Sequence, residues 1–99
     1  MIDLPADQLD EVRRILNFVV PECRVLVFGS RVTGTAREFS DLDLMVIGEE
    51  RLELRRLERL RNTFSISDLP IIVDVHDWHR TNPEFRAAIE KDCVELPLD

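Results

Sequence analysis

Apolar positions along the chain fall into two periods. Leu9, Val12, Ile15, Leu16, Val19 and Val20 recur at three- and four-residue spacing between Pro5 and Pro21, which predicts an amphipathic helix that starts near Pro5 and ends at Pro21. The run RVLVF at 24–28 is apolar after its first residue, with β-branched valines at 25 and 27, as a strand covered on both faces should be, and Gly29 stops it. From Asp41 the pattern turns to alternation: in DLDLMVIG, Leu42, Leu44 and Val46 take one face, and Asp41, Asp43, Met45 and Ile47 the other. Both carboxylates of this second strand therefore point the same way. Residues 49–64 return to the helical period, with Leu54, Leu57, Leu60 and Phe64 on one stripe and Arg51, Arg55 and Arg59 on another. Pro70 introduces a third strand, IIVDVHD at 71–77, with Asp74 among apolar neighbours. Asn82 and Pro83 give an N-cap and first-turn signal for a last helix over 83–92, carrying Phe85 and Ile89 four residues apart, and the tail VELPLD follows.

The order is helix, strand, strand, helix, strand, helix, with no repeat and no linker. It predicts a single α/β (α+β) domain over 1–99, a small sheet flanked by helices. At 99 residues such a domain buries roughly two thirds of its unfolded surface, and little chain is left for a second function.

Charge narrows the partners. Thirteen basic against twenty acidic residues give a net charge of -7, which repels a polyanion from most of the surface; a protein or a metal–nucleotide complex is the better ligand, and no direct nucleic-acid contact is expected. Cys23 and Cys93 stand far apart without a CxxC or Cys/His cluster, so two buried thiols in a reducing cytosol are expected rather than a disulfide or zinc site. No charged-then-apolar leader opens the chain, and no apolar run approaches the ~20 residues of a membrane span. A cytoplasmic protein is expected.

The candidate chemistry lies in GSRVTGTAREFSDLDLMV, residues 29–46. A glycine after a buried strand allows a tight turn and lets backbone N–H groups approach an anion, and Ser30 adds a hydroxyl donor. Paired carboxylates on one strand face, separated by ~7 Å of rise, suit a hard divalent cation such as Mg²⁺, which takes carboxylates, phosphate oxygens and water. Asp41 and Asp43 lead into an apolar strand and Asp74 sits in another. All three are expected at or near the core, where an unpaired charge is costly and cations are the simplest counter-charge. A phosphate-holding turn, two metal-holding carboxylates and a third that assists a hydroxyl together make in-line nucleotidyl transfer with two metals.

GS, ten residues, then DLD, with VDV later, resembles the minimal nucleotidyltransferases of the DNA polymerase β superfamily over essentially the whole chain. The segment VDVHDWHRTNPEFRAAIEKDCVEL is also similar to the closing part of the small MNT antitoxins encoded beside HEPN-domain toxins. The resemblance implies the nucleotidyltransferase fold, a small mixed sheet with flanking helices. It implies metal roles for Asp41 and Asp43, the third carboxylate at Asp74, and a phosphate-binding turn at Gly29 and Ser30. Arg31 follows as in many such antitoxins; a guanidinium there can reach two phosphate oxygens, or it is a surface arginine. The implied activity is transfer of AMP from ATP, with two Mg²⁺ ions, to a hydroxyl, a tyrosine, on a cognate HEPN RNase toxin with which the chain would assemble. Two rivals stay open: an antitoxin that works by occlusion, and a catalytic subunit that modifies a small molecule held by a separate chain. The HxxH of His76 and His79 beside Asp77 does not make a zinc site. Arg37 points at phosphate or into solvent. Trp78 is read as a rim packing residue or a contact, and the arginine stripe as a solvated face or a docking surface.

Overall fold

The computed structural model describes residues 1–98 of the chain. Its elements are α1 (Ala6–Val19), β1 (Arg24–Phe28), α2 (Ser30–Thr33), β2 (Leu42–Ile47), α3 (Leu54–Ser65), β3 (Val73–Asp77), a 3-10 turn (Trp78–Arg80), α4 (Pro83–Lys91) and β4 (Val94–Glu95). The sheet order is β3-β2-β1-β4. β1 pairs antiparallel with β2 and β4, whereas β2 and β3 run parallel. Parallel neighbours require a crossover, and α3 supplies it. This is the small mixed sheet flanked by helices that the sequence predicts.

Alternation decides the two faces of the sheet. Val25, Val27, Leu42, Leu44, Val46 and Val75 meet Val12, Ile15, Leu16 and Val19 of α1 and Leu57, Leu60 and Phe64 of α3 in the main core. The opposite face carries a thinner layer, in which Leu26 and Met45 pack against Ile89 of α4 with Phe28, Ile47, Trp78 and Cys93 around them. Asp43 and Asp74 lie on that thinner side. Asn82 caps α4, its side-chain oxygen accepting from the Phe85 N–H at 2.8 Å, and Pro83 takes the first turn, where its missing donor costs nothing.

Four local expectations need correction. The second long helix starts at Leu54, not at 49, because the Leu52 N–H donates to Oδ2 of buried Asp77 at 2.9 Å and ties residues 49–53 to the end of β3. Arg51 is thus off the helix, and Leu54, expected in the apolar stripe, is 58% exposed. Arg55 and Arg59 do form an exposed outer face, Arg59 lying over the Phe18 ring. In the tail, Val94–Glu95 is a strand on β1, and Leu96 beyond it is buried. The turn after β1 contains the short helix α2. Of the two cysteines, Cys23 is buried and Cys93 only half-buried, and both are free. Burial pushes the Cys23 thiol pKa up.

The outer strands are short or covered. The Arg61 guanidinium donates to the Val75 carbonyl at 2.8 Å beside β3, and the two-residue β4 carries a 2.7 Å ion pair between Arg24 and Glu95. Among the described residues no helix is long and apolar enough to cross a membrane.

Candidate active site

β1 delivers the chain to Gly29, whose φ of 82° lies in the left-handed region that favours glycine. A second constraint acts there. A Cβ at Gly29 would lie 2.3 Å from Oδ2 of Asp43, so the turn is pressed against that carboxylate. α2 follows at once, the Gly29 carbonyl accepting from the N–H groups of Val32 and Thr33, and Ser30 is its first residue.

Asp43 stands between two neighbours. Phe28 is its partner on β1, and Asp74 is its partner on β3. The ligand atoms of Asp43, Asp74 and His76 all lie within 4.8 Å of one another. Partial burial, and then the charges of Asp74 and Asp41, push the Asp43 carboxyl above its ordinary value, while His76 pulls it down. Asp41 precedes β2 on an exposed stretch; its charge reaches Asp43, yet its oxygens are outside the Asp43–Asp74–His76 group.

The expectation that all three acids approach the core is therefore corrected. Asp43 alone is half-buried; Asp41 is exposed, and the Asp74 side chain is 52% exposed. The apolar neighbours that suggested burial, Val73 and Val75, pack on the other face, and β3 is an edge strand. The case for a cation rests instead on crowding: carboxylates from adjacent strands converge, one of them resists ionisation, and the donor set is mostly hard oxygen. These residues fit a divalent ion.

Arg31 departs furthest from expectation. It is 4% exposed, and its guanidinium donates to main-chain carbonyls: Nε to Ser40 at 3.1 Å, Nη1 to Asp3 at 2.8 Å, and Nη2 to Glu38 at 3.0 Å and Ser40 at 2.9 Å. It gathers the loop that leads into Asp41 instead of reaching outward for phosphate. Arg37 is exposed, and its carbonyl also faces Arg31. Lysine has the charge but not the planar fork, so Arg31→Lys should leave a buried carbonyl unpaired and lower unfolding free energy by about 1–3 kcal/mol. Urea denaturation reads this directly; a purely phosphate-facing arginine would leave stability unchanged.

The HxxH pair separates. His79 Nε2 pairs with the Gly48 carbonyl at 2.7 Å, while His76 turns toward Asp74, with Nε2 3.2 Å from its Oδ2. Asp77, between them, is structural: it accepts from the N–H groups of Leu52 and His79 and pairs with Arg80 at 3.3 Å. Trp78 is half-buried at the rim of the thinner layer, with the Arg86 guanidinium 4.9 Å from its ring centre. From sequence alone His76 is weighed only as part of the HxxH pair and is not placed beside the acids. Strand alternation, which places residues 74 and 76 on one side, could have found it.

Comparison with known proteins agrees with this geometry. The family model described as "Polymerase beta, Nucleotidyltransferase" matches residues 22–96. A protein of Haemophilus influenzae (strain ATCC 51907 / DSM 11121 / KW20 / Rd), named probable protein adenylyltransferase MntA, is 46% identical over 95 residues, 96% of this chain and 83% of that protein. Among solved structures, a toxin–antitoxin with AMP-PNP superposes with a TM-score of 0.75 at 20% identity, covering 88% of this chain and 70% of that one. A mutant of the toxin–antitoxin MntA–HpeT gives 0.74 at 18% identity with the same coverage. At such identities the structural likeness speaks for the fold, and the sequence matches carry the assignment. The family model over most of the chain and the 46% identical relative lead to one conclusion: the chain belongs to the polymerase β nucleotidyltransferase family.

Proposed function

We propose that this chain is a cytoplasmic antitoxin that transfers AMP from ATP to a hydroxyl, most simply a tyrosine, of a cognate HEPN toxin. The observation that carries the reading is the register of Asp43 and Asp74 on adjacent parallel strands, with the Gly29 turn against Asp43. The 46% identity to a probable protein adenylyltransferase supports the choice of AMP and of a protein acceptor. The sequence contains no tyrosine, so a tyrosine acceptor has to come from another molecule.

In this reading the Gly29–Ser30 turn receives the phosphates through backbone N–H groups and the Ser30 hydroxyl. Asp41, Asp43 and Asp74 would hold the two Mg²⁺ ions, whose chemistry is to neutralise the triphosphate and polarise its α-phosphate. Asp74, the most accessible member of the Asp43–Asp74–His76 group, takes the proton of the acceptor hydroxyl. The acceptor oxygen then bonds to the α-phosphorus, the bond from that phosphorus to the bridging oxygen of the β-phosphate breaks, and pyrophosphate leaves with the electron pair. Arg31 has no part in phosphate binding here; it holds the loop before Asp41.

Incubation with ATP, Mg²⁺ and the toxin encoded by the adjacent gene should raise the toxin's intact mass by one or more AMP units. Asp74→Asn should abolish that gain while leaving ATP binding and complex formation in place. If the toxin is neutralised without any AMP adduct, occlusion replaces catalysis as the function. An adduct on a small molecule and none on the toxin would instead favour the small-molecule reading.

A further inference from the structure

Asp74 and His76 are two residues apart on β3 and face the same side of the sheet. Among the described residues, the only hydrogen-bond partner of the Asp74 carboxylate is the imidazole, with Nε2 3.2 Å from Oδ2. The imidazole itself is boxed in. Its ring centre lies 5.6 Å from that of Phe28 and 5.7 Å from that of Phe85, and these two phenylalanines meet edge-on at 5.8 Å. Phe28 comes from β1 and Phe85 from α4, so three elements fix the plane of one ring. Aromatic contacts of this kind favour tilted and edge-to-face arrangements, which orient a ring as well as bury it.

The contrast with Asp74 is informative. Its side chain is more than half exposed, on an edge strand, and a short carboxylate in that setting is free to rotate unless something holds it. We propose that His76 is the positioning residue for Asp74: its Nε2–H donates to Oδ2, and the Phe28–Phe85 box keeps the donor in place. Oδ1 is thereby left as the accepting oxygen. This rests on the reading of Asp74 as the group that takes the acceptor's proton. An imidazole that donates through Nε2 cannot ligate a cation through the same atom, which sets this role apart from that of a third metal ligand.

Steady-state AMP transfer to the toxin of the adjacent gene should be compared for wild type, His76→Phe, His76→Gln and Phe85→Leu, with Mn²⁺ and ATP titrated into each by calorimetry. His76→Phe keeps a ring in the box and deletes the donor; kcat should fall ~10- to 100-fold, the scale of one hydrogen bond to a charged group, with the KM for ATP unchanged. Glutamine offers an amide donor and should restore most of the loss. Phe85 is partly exposed, so Phe85→Leu should fold and give an intermediate fall in kcat by loosening the ring. Mn²⁺ affinity, to which a steadied Asp74 contributes, should fall only a few-fold in His76→Phe and recover in His76→Gln.

An unchanged kcat in folded His76→Phe, or a fall that glutamine does not relieve, overturns the positioning role. Mn²⁺ binding that weakens as much as kcat in His76→Phe and does not recover in His76→Gln overturns it in favour of metal ligation. If the wild type transfers no AMP at all, the reading of Asp74 fails and this inference fails with it, whereas transfer that persists in His76→Phe removes the inference alone.

Discussion

Asp43→Asn is expected to bring AMP transfer to near background and, in the metal-free protein, to raise the melting temperature. The first effect follows from charge. The substitution is nearly isosteric, so the strand and the Gly29 contact survive, but the half-buried carboxylate that cations need is gone; a loss of about 100-fold or more is the scale for removing one preorganised electrostatic group. The second effect follows from the same crowding. Burial and the neighbouring charges of Asp74 and Asp41 raise the Asp43 pKa in the folded state. Between the ordinary carboxylate value and that raised value the folded protein holds more protons than the unfolded one, so stability falls as pH rises through the window. The deficit is then carried to neutral pH, and asparagine, which does not ionise, escapes it. Thermal melts in chelator from pH 4 to pH 7 should show wild type losing stability relative to the variant. Wild-type turnover by Asp43→Asn would mean the DLD pair is a solvated strand end, and a lower neutral-pH melting temperature would refute the crowding account.

Gly29→Val should abolish ATP binding and destabilise the fold together. The positive φ alone costs a non-glycine residue about 1–3 kcal/mol, more when it is β-branched. The larger obstacle is Asp43, since the new Cβ would come within 2.3 Å of its Oδ2 and either the turn or the carboxylate has to move. Each displacement damages the site, because the turn would no longer face the phosphates or the acid would no longer face Asp74. Gly29→Ala should be nearly as harmful, which separates a Cβ clash from a problem of bulk. ATP titration and thermal melting of both variants check this; intact ATP binding in Gly29→Val would put the phosphate cradle elsewhere.

Where sequence reading succeeded, the signal was local. RVLVF is a strand because five residues in a row suit one, and its bounds match β1; DLDLMVI alternates, and β2 follows from Leu42. Asn82–Pro83 announces α4 at the residue where it begins. Failures came where distant contacts outweighed local pattern. Residues 49–53 have helical spacing, but Asp77, more than twenty positions away in sequence, draws the Leu52 N–H into a different conformation. VELPLD offers too few residues to register as a strand, and only pairing with β1 makes β4 one. For the candidate site, the motif spacing singles out Gly29, Ser30, Asp41, Asp43 and Asp74 as candidates but says nothing of their exposure, because nothing in IIVDVHD reveals that β3 lies at a sheet edge with Asp74 on its thinly covered side. Arg31 is the sharpest case. A guanidinium beside a phosphate-shaped turn invites an outward role, and the carbonyls that claim it come from Asp3, Glu38 and Ser40, which no pairwise pattern connects.

The guarded margins of the sheet bear on self-association. An open strand edge is a template on which other chains polymerise, and proteins blunt such edges with charge, brevity or cover. Arg61 occupies the Val75 carbonyl beside β3, while β4 is two residues long and ends the other side with the Arg24–Glu95 pair. Both routes to runaway β-extension are thereby obstructed, although α4 leaves the acid-bearing face thinly roofed. A chain whose acid-bearing face is only thinly covered can thus leave that face open without inviting fibril growth at its flanks.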